Sequence, residues 1–324
     1  MGVKTVSVIG ATGYLGSHIS AGLAAAGHRV RAWGRRRPEG AAEWAGLFER
    51  LSTGDLEQNE TVDAIVDEAS DALVYCVSLD HRAAEQDPDR AWQVNVRPVW
   101  QLLDRLSQRG PSRFVFLSTS QVYGTVEGRI SEITPTQPRN HYALTHLMAE
   151  QVVQRYCDKQ GSGISLRLSN GFGAPVFEDA NCWWLVINDF CRTAVNDGEI
   201  RLMSAGLQQR DFIHVDDITA AVSLVVGLPG KRLDKPFYNV GSGRAVLILE
   251  LAHRVADVCE RLGGDRIPVL MPDGSRSVGF DMHVPTNTLS YSPEAFCKLG
   301  FEPAVSLDQG IRRLLKDLMR RKKA

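Results

Sequence analysis

Residues 5–16 of this chain read TVSVIGATGYLG. The first five residues of this stretch form a short apolar, β-branched run that predicts a buried strand. Its three glycines, Gly10, Gly13 and Gly16, open an alanine-rich segment that predicts a helix reaching about Gly27. In this arrangement the first glycine allows a tight turn, the second lets the backbone approach a pyrophosphate, and the third lets the helix pack closely on the strand. The motif therefore predicts a dinucleotide site rather than a glycine-rich structural turn.

Alternating strand and helix patterns extend this unit through the first half of the chain. Apolar runs at Val30–Trp33, Ala72–Val77 and Arg113–Ser118 predict strands, with helical stretches between them. Such alternation predicts an α/β fold with a Rossmann-type, doubly wound, mainly parallel sheet, whose ligands lie at the carboxyl ends of the strands. Beyond about residue 170 the pattern loosens, with Pro and Gly punctuation. That half predicts a smaller α/β C-terminal domain that binds the substrate.

The composition narrows the class of protein. The 324 residues carry a formal net charge of −1 and are 44% hydrophobic, enough for one large or two medium cores. The sequence has no excess of basic residues, which would favour a nucleic-acid partner. It also has no run of ~18 apolar residues, which would favour a membrane span, and no charged-then-apolar leader, which would favour secretion. We therefore expect a cytoplasmic protein. The cysteines and histidines lack metal-ligand or disulfide spacing, so no metal is predicted.

A second informative stretch is NHYALTH, residues 140–146. Tyr142 and His146 stand at i and i+4, so on a helix they share one face. The stretch resembles the Tyr-x-x-x-Lys active-site helix of a short-chain dehydrogenase/reductase, with histidine in place of the lysine. From end to end the chain resembles an extended short-chain dehydrogenase/reductase of the NAD-dependent epimerase/dehydratase family, whose members mostly act on nucleotide-activated sugars. The other landmarks of the resemblance are residues 54–56 (GDL), 95–96 (NV), 117–124 (LSTSQVYG), 167–170 (RLSN) with Gly173 and Pro175, 210–217 (RDFIHVDD) and 238–243 (YNVGSG).

The resemblance implies a domain division and a set of site residues. Residues 1–167 plus about 212–241 form the NAD(P)-binding domain, and about 168–211 plus 242–324 form the substrate-binding domain. The catalytic residues are Thr119, Tyr142 and His146. The cofactor-binding residues are Gly10, Thr12, Gly13, Tyr14, Leu15, Gly16, Arg35, Arg36, Asp55, Leu56, Val77, Asn95, Ser118, Tyr142 and His146. The substrate-binding residues are Ser78, Ser120, Gln121, Asn170 and Arg210.

The resemblance also implies a homodimer. The amphipathic helices around Val94–Leu106 and Tyr142–Cys157 are the ones that pair across a two-fold axis in the family. The alternative is that their apolar faces pack within the monomer.

The change from lysine to histidine bears on the direction of the reaction. Tyr142 is the predicted acid/base, Thr119 fixes the substrate oxygen, and His146 donates to the nicotinamide ribose. With an unperturbed pKa of ~6.5 the histidine is mostly neutral at pH 7, and a phenol near pKa ~10 is then a poor base but an available acid. Losing the cation therefore hurts an epimerase, which begins by oxidation, more than a ketoreductase. The alternatives are that other dipoles compensate, or that catalysis is lost.

A second clue concerns the cofactor. After the second predicted strand, where an NAD site usually places an acidic residue, the chain reads Gly34-Arg35-Arg36-Arg37. Guanidinium groups suit a 2′-phosphate, so NADP(H) is preferred and NAD(H) remains possible; the alternative is a solvated basic loop. Gln121 stands where the dehydratases of the family carry a carboxylate, which argues against a 4,6-dehydratase.

The substrate side gives mixed signals. Arg210 matches the family arginine that usually meets the nucleotide diphosphate. The later region where many nucleotide-sugar enzymes offer another arginine, residues 279–285, reads GFDMHVP, with Arg276 nearby but out of register. Trp183 and Trp184 either stack a base or sugar face or, for at least one of them, pack in the core.

These observations predict an NADPH-dependent ketoreductase that acts on a nucleotide-linked keto-sugar, with a 4-keto-6-deoxyhexose favoured. One rival is an NAD-dependent nucleotide-sugar epimerase that keeps its cofactor bound. Another is a non-catalytic NAD(P)-binding sensor or scaffold. A third is a reductase for a carbonyl substrate without a nucleotide.

Overall fold

A computed structural model describes residues 2–109, 112–124, 127–159, 162–229, 232–263, 265–277 and 289–323. The strands in these ranges are β1 Thr5–Ile9, β2 Arg29–Gly34, β3 Arg50–Thr53, β4 Ala72–Tyr75, β5 Arg113–Thr119, β6 Arg129–Ile130, β7 Ser162–Leu168, β8 Asn170–Phe172, β9 Ile200–Arg201, β10 Gln209–His214, β11 Phe237–Val240, β12 Ala245–Leu247, β13 Val269–Leu270 and β14 Ser290–Tyr291. The α-helices are α1 Tyr14–Ala25, α2 Ala42–Ala45, α3 Asn59–Asp67, α4 His81–Gln86, α5 Pro88–Asn95, α6 Arg97–Leu106, α7 His141–Lys159, α8 Val186–Asn196, α9 Val215–Gly227, α10 Ile248–Arg261, α11 Glu294–Cys297 and α12 Leu307–Lys323.

The central sheet has seven strands in the order β11-β7-β5-β4-β1-β2-β3. All neighbouring strands in it run parallel, and every residue of β1 is buried, as its continuous apolar run requires. Helices flank the sheet, so the predicted Rossmann-type fold is confirmed. The strand order reverses between β1 and β4. That point is where a doubly wound sheet binds its ligand, outside the carboxyl ends of the strands.

A second unit of structure lies at the carboxyl ends of the strands of the central sheet. It contains a three-stranded sheet, β12-β10-β8, and the pair β13-β9. Helices α8, α10 and α12 enclose a separate core that includes Phe190, Leu251 and Leu314. This unit is built mainly from the second half of the chain, where the sequence predicts the substrate domain.

The chain returns from the second unit to the central sheet after α10. Phe296 and Phe301 belong to the core beneath the central sheet, and Phe296 packs 5.5 Å from the ring of Tyr238 on β11. Sequence pattern does not reveal such a return, because a short apolar segment fits either core.

The helix expected around Val94–Leu106 is two helices. α5 ends at Asn95, and α6 begins at Arg97 after a break at Val96, whose φ of −115° leaves the helical range. Pro98 stands in the first turn of α6, a position where its missing N–H costs nothing, whereas inside one continuous helix it would remove a hydrogen bond.

Three further observations limit the chemistry. None of the described helices is long and apolar enough to cross a membrane. All six cysteines fall in the described ranges, and none is disulfide-bonded. Within the same ranges, no group of three or more His, Cys, Asp or Glu side chains is placed to hold a metal ion.

Candidate active site

The glycine loop joins β1 to α1 at the strand-order reversal. Gly10 has a φ of +83°, which only glycine adopts without strain, and a Cβ at Gly16 would lie 2.1 Å from the Gly10 carbonyl oxygen. The amides of Gly10 and Ala11 both donate to the carbonyl of Trp33, at 2.8 Å, which fixes the loop against the end of β2. No side chain caps the N-terminus of α1. Its first-turn N–H groups are therefore left for an anion.

A cleft of about 540 Å³ continues from this loop across the carboxyl ends of β1, β2 and β3. Its lining residues include Gly10, Gly34, Arg35, Gly54, Asp55, Leu56, Val77 and Val94. Apolar walls, with Asp55 and Arg35 beside a glycine loop, fit the adenosine half of a dinucleotide. Five of the predicted cofactor residues therefore line one cleft: Gly10, Arg35, Asp55, Leu56 and Val77.

Tyr142 and Thr119 meet beside the carboxyl end of β5. Thr119 is the last residue of β5, and Tyr142 lies in the first turn of α7, whose N-terminus Asn140 caps by accepting from the Ala143 amide at 2.8 Å. Thr119 is hydrogen-bonded to the Tyr142 phenol. Burial raises the pKa of Tyr142 to about 12, because the Thr119 hydrogen bond only partly offsets the loss of solvation and the Asp80 charge adds to it.

His146 lies against the phenol ring of Tyr142. Its own ring lies 4.2 Å from that of Tyr142 and 5.8 Å from that of Phe116, and the residue is 2% exposed. Burial lowers the pKa of His146 to about 4, so the imidazole is neutral at pH 7. Nδ1 lies 2.8 Å from the Tyr142 carbonyl oxygen. That contact requires the proton on Nδ1, which leaves Nε2 as an acceptor.

This geometry changes the expected role of the histidine. The sequence predicts that His146 donates to the nicotinamide ribose. Its one N–H is used by the Tyr142 carbonyl, so the remaining nitrogen can only accept from a ribose hydroxyl. No positive charge replaces that of the family lysine at this position.

A buried ion pair holds β5 and α7, which carry Thr119 and Tyr142, together. Glu150 and Arg167 are 3% and 2% exposed and are joined by an Nη2–Oε2 contact of 2.6 Å. Ser118 donates to Glu150 at 2.5 Å, so the carboxylate ties α7 to the residue that precedes Thr119. Neither residue of this pair was predicted as a site residue from the sequence. The available signal is that Glu150 follows Tyr142 by eight residues and so shares its helix face.

Some predicted cofactor residues are held by other parts of the protein. The amide of Asn95 is used at both ends, accepting from Leu79 N at 2.8 Å and donating to the Thr145 hydroxyl at 2.9 Å. The phenol of Tyr14 donates to the Gly173 carbonyl at 2.9 Å. The Ser118 hydroxyl is taken by Glu150, and Leu15 packs against the core of the sheet. These side chains position the site.

The predicted substrate residues lie around the mouth of the same region. Gln121 accepts from the Asn140 amide at 3.0 Å, and Ser78 donates to the Leu79 carbonyl at 2.7 Å. Asn170, on β8, donates to the Asp211 carbonyl at 2.8 Å, which uses its amide nitrogen. Ser120 opens the short 3-10 helix that follows β5 and is partly exposed.

Arg210 is the one charged residue of this predicted set, and it has no ion-pair partner among the residues that the structure describes. It lies on β10, and burial lowers its pKa. Burial lowers the pKa of His81, and the positive charge of Arg210 lowers it further. The His81 ring lies 4.9 Å from that of Trp184. A desolvated guanidinium without a carboxylate is suited to an anionic ligand. The segment that lacks the late arginine, residues 279–285, lies outside the described residues.

The two tryptophans have different surroundings. Trp183 packs against the core of the second unit, so at least one of them is a packing residue, as the sequence analysis preferred. Trp184 faces His81 instead, and its indole N–H is buried without a partner in the described part of the chain.

Comparison with known proteins agrees with this architecture. Residues 6–241 match the sequence model of the NAD dependent epimerase/dehydratase family. The chain is 28% identical over 306 residues to a dTDP-4-dehydro-6-deoxy-D-allose reductase from a Streptomyces species, which covers 90% of this chain and 92% of that protein. It is 25% identical over 229 residues, 69% of its length, to the dTDP-D-glucose 4,6-dehydratase of Mus musculus, and it spans 60% of that protein.

The fold is also that of a solved epimerase. A UDP-glucose 4-epimerase from Thermotoga maritima, determined with UDP-glucose, superposes with a TM-score of 0.81 at 19% identity over 98% of this chain and 99% of that one. The family match runs from β1 to β11 and so includes every strand of the central sheet. The chain therefore belongs to the NAD-dependent epimerase/dehydratase family of extended short-chain dehydrogenases/reductases.

Proposed function

We propose that this protein is an NADPH-dependent ketoreductase that acts on a nucleotide-linked keto-sugar. The observation that carries the proposal is the pairing of Tyr142 with a neutral His146. Burial raises the pKa of the phenol to about 12 and lowers that of the imidazole to about 4. The phenol is therefore protonated at pH 7, next to a hydroxyl, Thr119, that can hold the same substrate oxygen.

The protonation state favours reduction over an oxidation-first reaction. Ionising a phenol of pKa about 12 at pH 7 costs about 7 kcal/mol. An epimerase begins by oxidising its substrate and needs the ionised phenol as the base, so it must meet this cost first. A ketone needs only a proton on its oxygen, which Tyr142 holds ready. A bound nicotinamide dinucleotide supplies the hydride for the carbonyl carbon. Thr119 orients the carbonyl oxygen, Tyr142 protonates it, and His146 accepts from the ribose.

The end of β2 supports NADPH. A Cβ at Gly34 would lie 2.5 Å from the side chain of Thr12, so the position that usually carries an acidic residue has no room for one unless Thr12 moves. Arg35 follows and lines the cleft. A guanidinium there matches a 2′-phosphate, whereas the ribose hydroxyl of NADH has no carboxylate to meet at this position.

Arg210 and the Streptomyces relative support the substrate class. Arg210 is a partly buried guanidinium with no carboxylate partner in the described part of the chain, which suits a diphosphate. The relative, by its name, reduces a dTDP-linked 4-dehydro-6-deoxy sugar. The favoured substrate is therefore a nucleotide-linked 4-keto-6-deoxyhexose.

A nucleotide-sugar epimerase is the second candidate. Its support is the fold shared with the Thermotoga maritima epimerase and the NAD dependence named for the family. It requires a tightly held NAD and no net consumption of nicotinamide.

The proposal includes a homodimer. Three large apolar side chains are exposed on the neighbouring helices α6 and α7: Trp100 at 57%, Leu144 at 42% and Met148 at 37%. Exposed apolar side chains on two amphipathic helices that pack together favour a second copy of the same surface.

Calorimetric titration of cofactor-stripped protein with NADPH and NADH tests the cofactor proposal. We expect tighter binding of NADPH and loss of this preference in the double variant Arg35→Ala/Arg36→Ala. Arg37→Ala is the matched control, because Arg37 is the next exposed arginine along the chain and lies farthest of the three from the end of β2. Preference for NADH, or NAD that cannot be stripped, would favour the epimerase; binding of neither would favour a catalytically inactive member of the fold.

A further inference from the structure

Residues 175–184, here called the strap, join two loops at the carboxyl edge of the central sheet. Phe177 packs at 5.0 Å against Trp44 of α2. Asp179 forms an ion pair with Arg36, with 2.5 Å between Oδ2 and Nη2. Two residues later, Asn181 donates to Asp80 at 2.9 Å. The strap is therefore fastened at two places by polar side chains.

The two fastening points lie on either side of the glycine loop. Arg36 follows β2, and Asp80 follows β4 as the N-cap of α4. In the sheet, β2 and β4 are the two neighbours of β1. A segment that reaches both must cross the carboxyl end of β1, where the glycine loop begins. Just before the strap, the Ala174 carbonyl lies 2.8 Å from His18 Nε2 in the second turn of α1, so the chain enters the strap beside this helix.

The Arg36 guanidinium cannot bind the Asp179 carboxylate and a cofactor phosphate through the same N–H groups at once. The Arg36 and Asp179 side chains are 69% and 51% exposed, so their ion pair is weak and water competes for both groups. A phosphate carries more charge than a carboxylate and can engage the guanidinium bidentately. The phosphate therefore displaces the Asp179 carboxylate from Arg36. Because this ion pair must first be broken, the protein binds the phosphate less tightly than it would without Asp179.

We propose that Asp179 is a specificity-determining residue that competes with the cofactor 2′-phosphate for Arg36, and that phosphate binding detaches this end of the strap. The inference rests on the proposed NADPH-dependent function, which it deepens. The Asp179 carboxylate lowers the affinity for ligands with a 2′-phosphate and leaves the affinity for NADH unchanged. The bound NADP product therefore remains exchangeable. A reductase that consumes NADPH needs this exchange in every turnover, whereas an epimerase does not.

The first test compares Asp179→Asn with Glu178→Gln in calorimetric titrations. Glu178 is the adjacent carboxylate; it faces Arg321 at 3.6 Å, so the control removes the same charge without freeing Arg36. The probes are NADPH, NADH, adenosine 2′,5′-bisphosphate and adenosine 5′-monophosphate. For Asp179→Asn we expect about two- to five-fold tighter binding of the two 2′-phosphate ligands, as expected for an exposed pair, and no change for the other two. In Arg36→Gln/Asp179→Asn the gain should vanish.

The second test follows hydrogen–deuterium exchange of the strap. Adenosine 2′,5′-bisphosphate should speed exchange in residues 175–184 of the wild type, and Asp179→Asn should show the faster exchange without ligand. Equal effects of Asp179→Asn and Glu178→Gln on the bisphosphate, or no effect of either, would overturn the competition. Because the bisphosphate contains no nicotinamide, this result is separable from the NADPH proposal, which fails if the intact wild type prefers NADH.

Discussion

Placing a cation at position 146 should move the ionisation of Tyr142 into a measurable range. The His146 ring lies 4.2 Å from the phenol ring and carries no charge at neutral pH, since burial lowers its pKa to about 4. In His146→Lys, an ammonium within reach of the phenol stabilises the phenolate. A nearby opposite charge shifts a pKa by ~1–3 units, or roughly 1.4–4 kcal/mol. The pKa of Tyr142, about 12 in the wild type, should therefore fall to roughly 9–11.

The assay is the pH dependence of kcat/KM for ketone reduction, which reports the ionisation of the free enzyme. Reduction needs the protonated phenol, so the wild-type profile should stay flat up to about pH 10, whereas that of His146→Lys should decline above roughly pH 9–11. His146→Gln is the matched control, since it is neutral, and its profile should follow the wild type. Absorbance titration of the phenolate, with Tyr142→Phe as the blank, gives the same pKa without turnover. If folded His146→Lys and His146→Gln declined at the same pH, the electrostatic reasoning would be refuted.

Three further predictions concern catalysis, stability and assembly. Tyr142→Phe should lower kcat about 10²–10⁴-fold while NADPH titrates as in the wild type; retained turnover would remove Tyr142 as the proton donor. Burial lowers the pKa of His146 to about 4, below the ~6.5 of an unfolded chain, so its contribution to stability is complete above about pH 6.5 and is lost as the pH falls toward 4. We expect this loss, about 3 kcal/mol, in the free energy of unfolding measured by denaturant, and we expect it to be absent in His146→Gln; equal pH dependence of the two proteins would contradict the buried neutral imidazole. Trp100→Glu should convert a homodimer into a monomer in light scattering with the fold retained, and an unchanged mass would place the interface elsewhere.

The parts of the fold that the sequence predicts are those set by local pattern. The strand of residues 5–9, the turn at Gly10 and the close packing at Gly16 depend on neighbours in the chain, and the structure has all three. The four predicted strands of the first half appear within a few residues of their expected bounds. The helix break at Val96 could have been read from Pro98, because proline favours a first turn over a helix interior.

The site depends more on contacts that sequence pattern does not encode. Arg36 and Asp179 are 143 residues apart, so nothing local links them. The spacing of Tyr142 and His146 predicts a shared helix face, but it does not predict that the imidazole is buried and spends its one N–H on a carbonyl. Asn95 is similar: its position near the site is predictable, whereas the use of both ends of its amide by Leu79 and Thr145 depends on how α5 and α7 pack.

The stoichiometry of nicotinamide consumption tests whether the protein carries out net reduction with NADPH. Purified protein is incubated with NADPH and a dTDP-linked 4-keto-6-deoxyhexose, and both the nicotinamide and the sugar are quantified. We expect one NADPH oxidised for each ketone reduced, slower turnover with NADH, and loss of this turnover in Tyr142→Phe. Interconversion of sugar epimers by a protein that carries its own NAD, without net consumption of nicotinamide, would contradict this expectation.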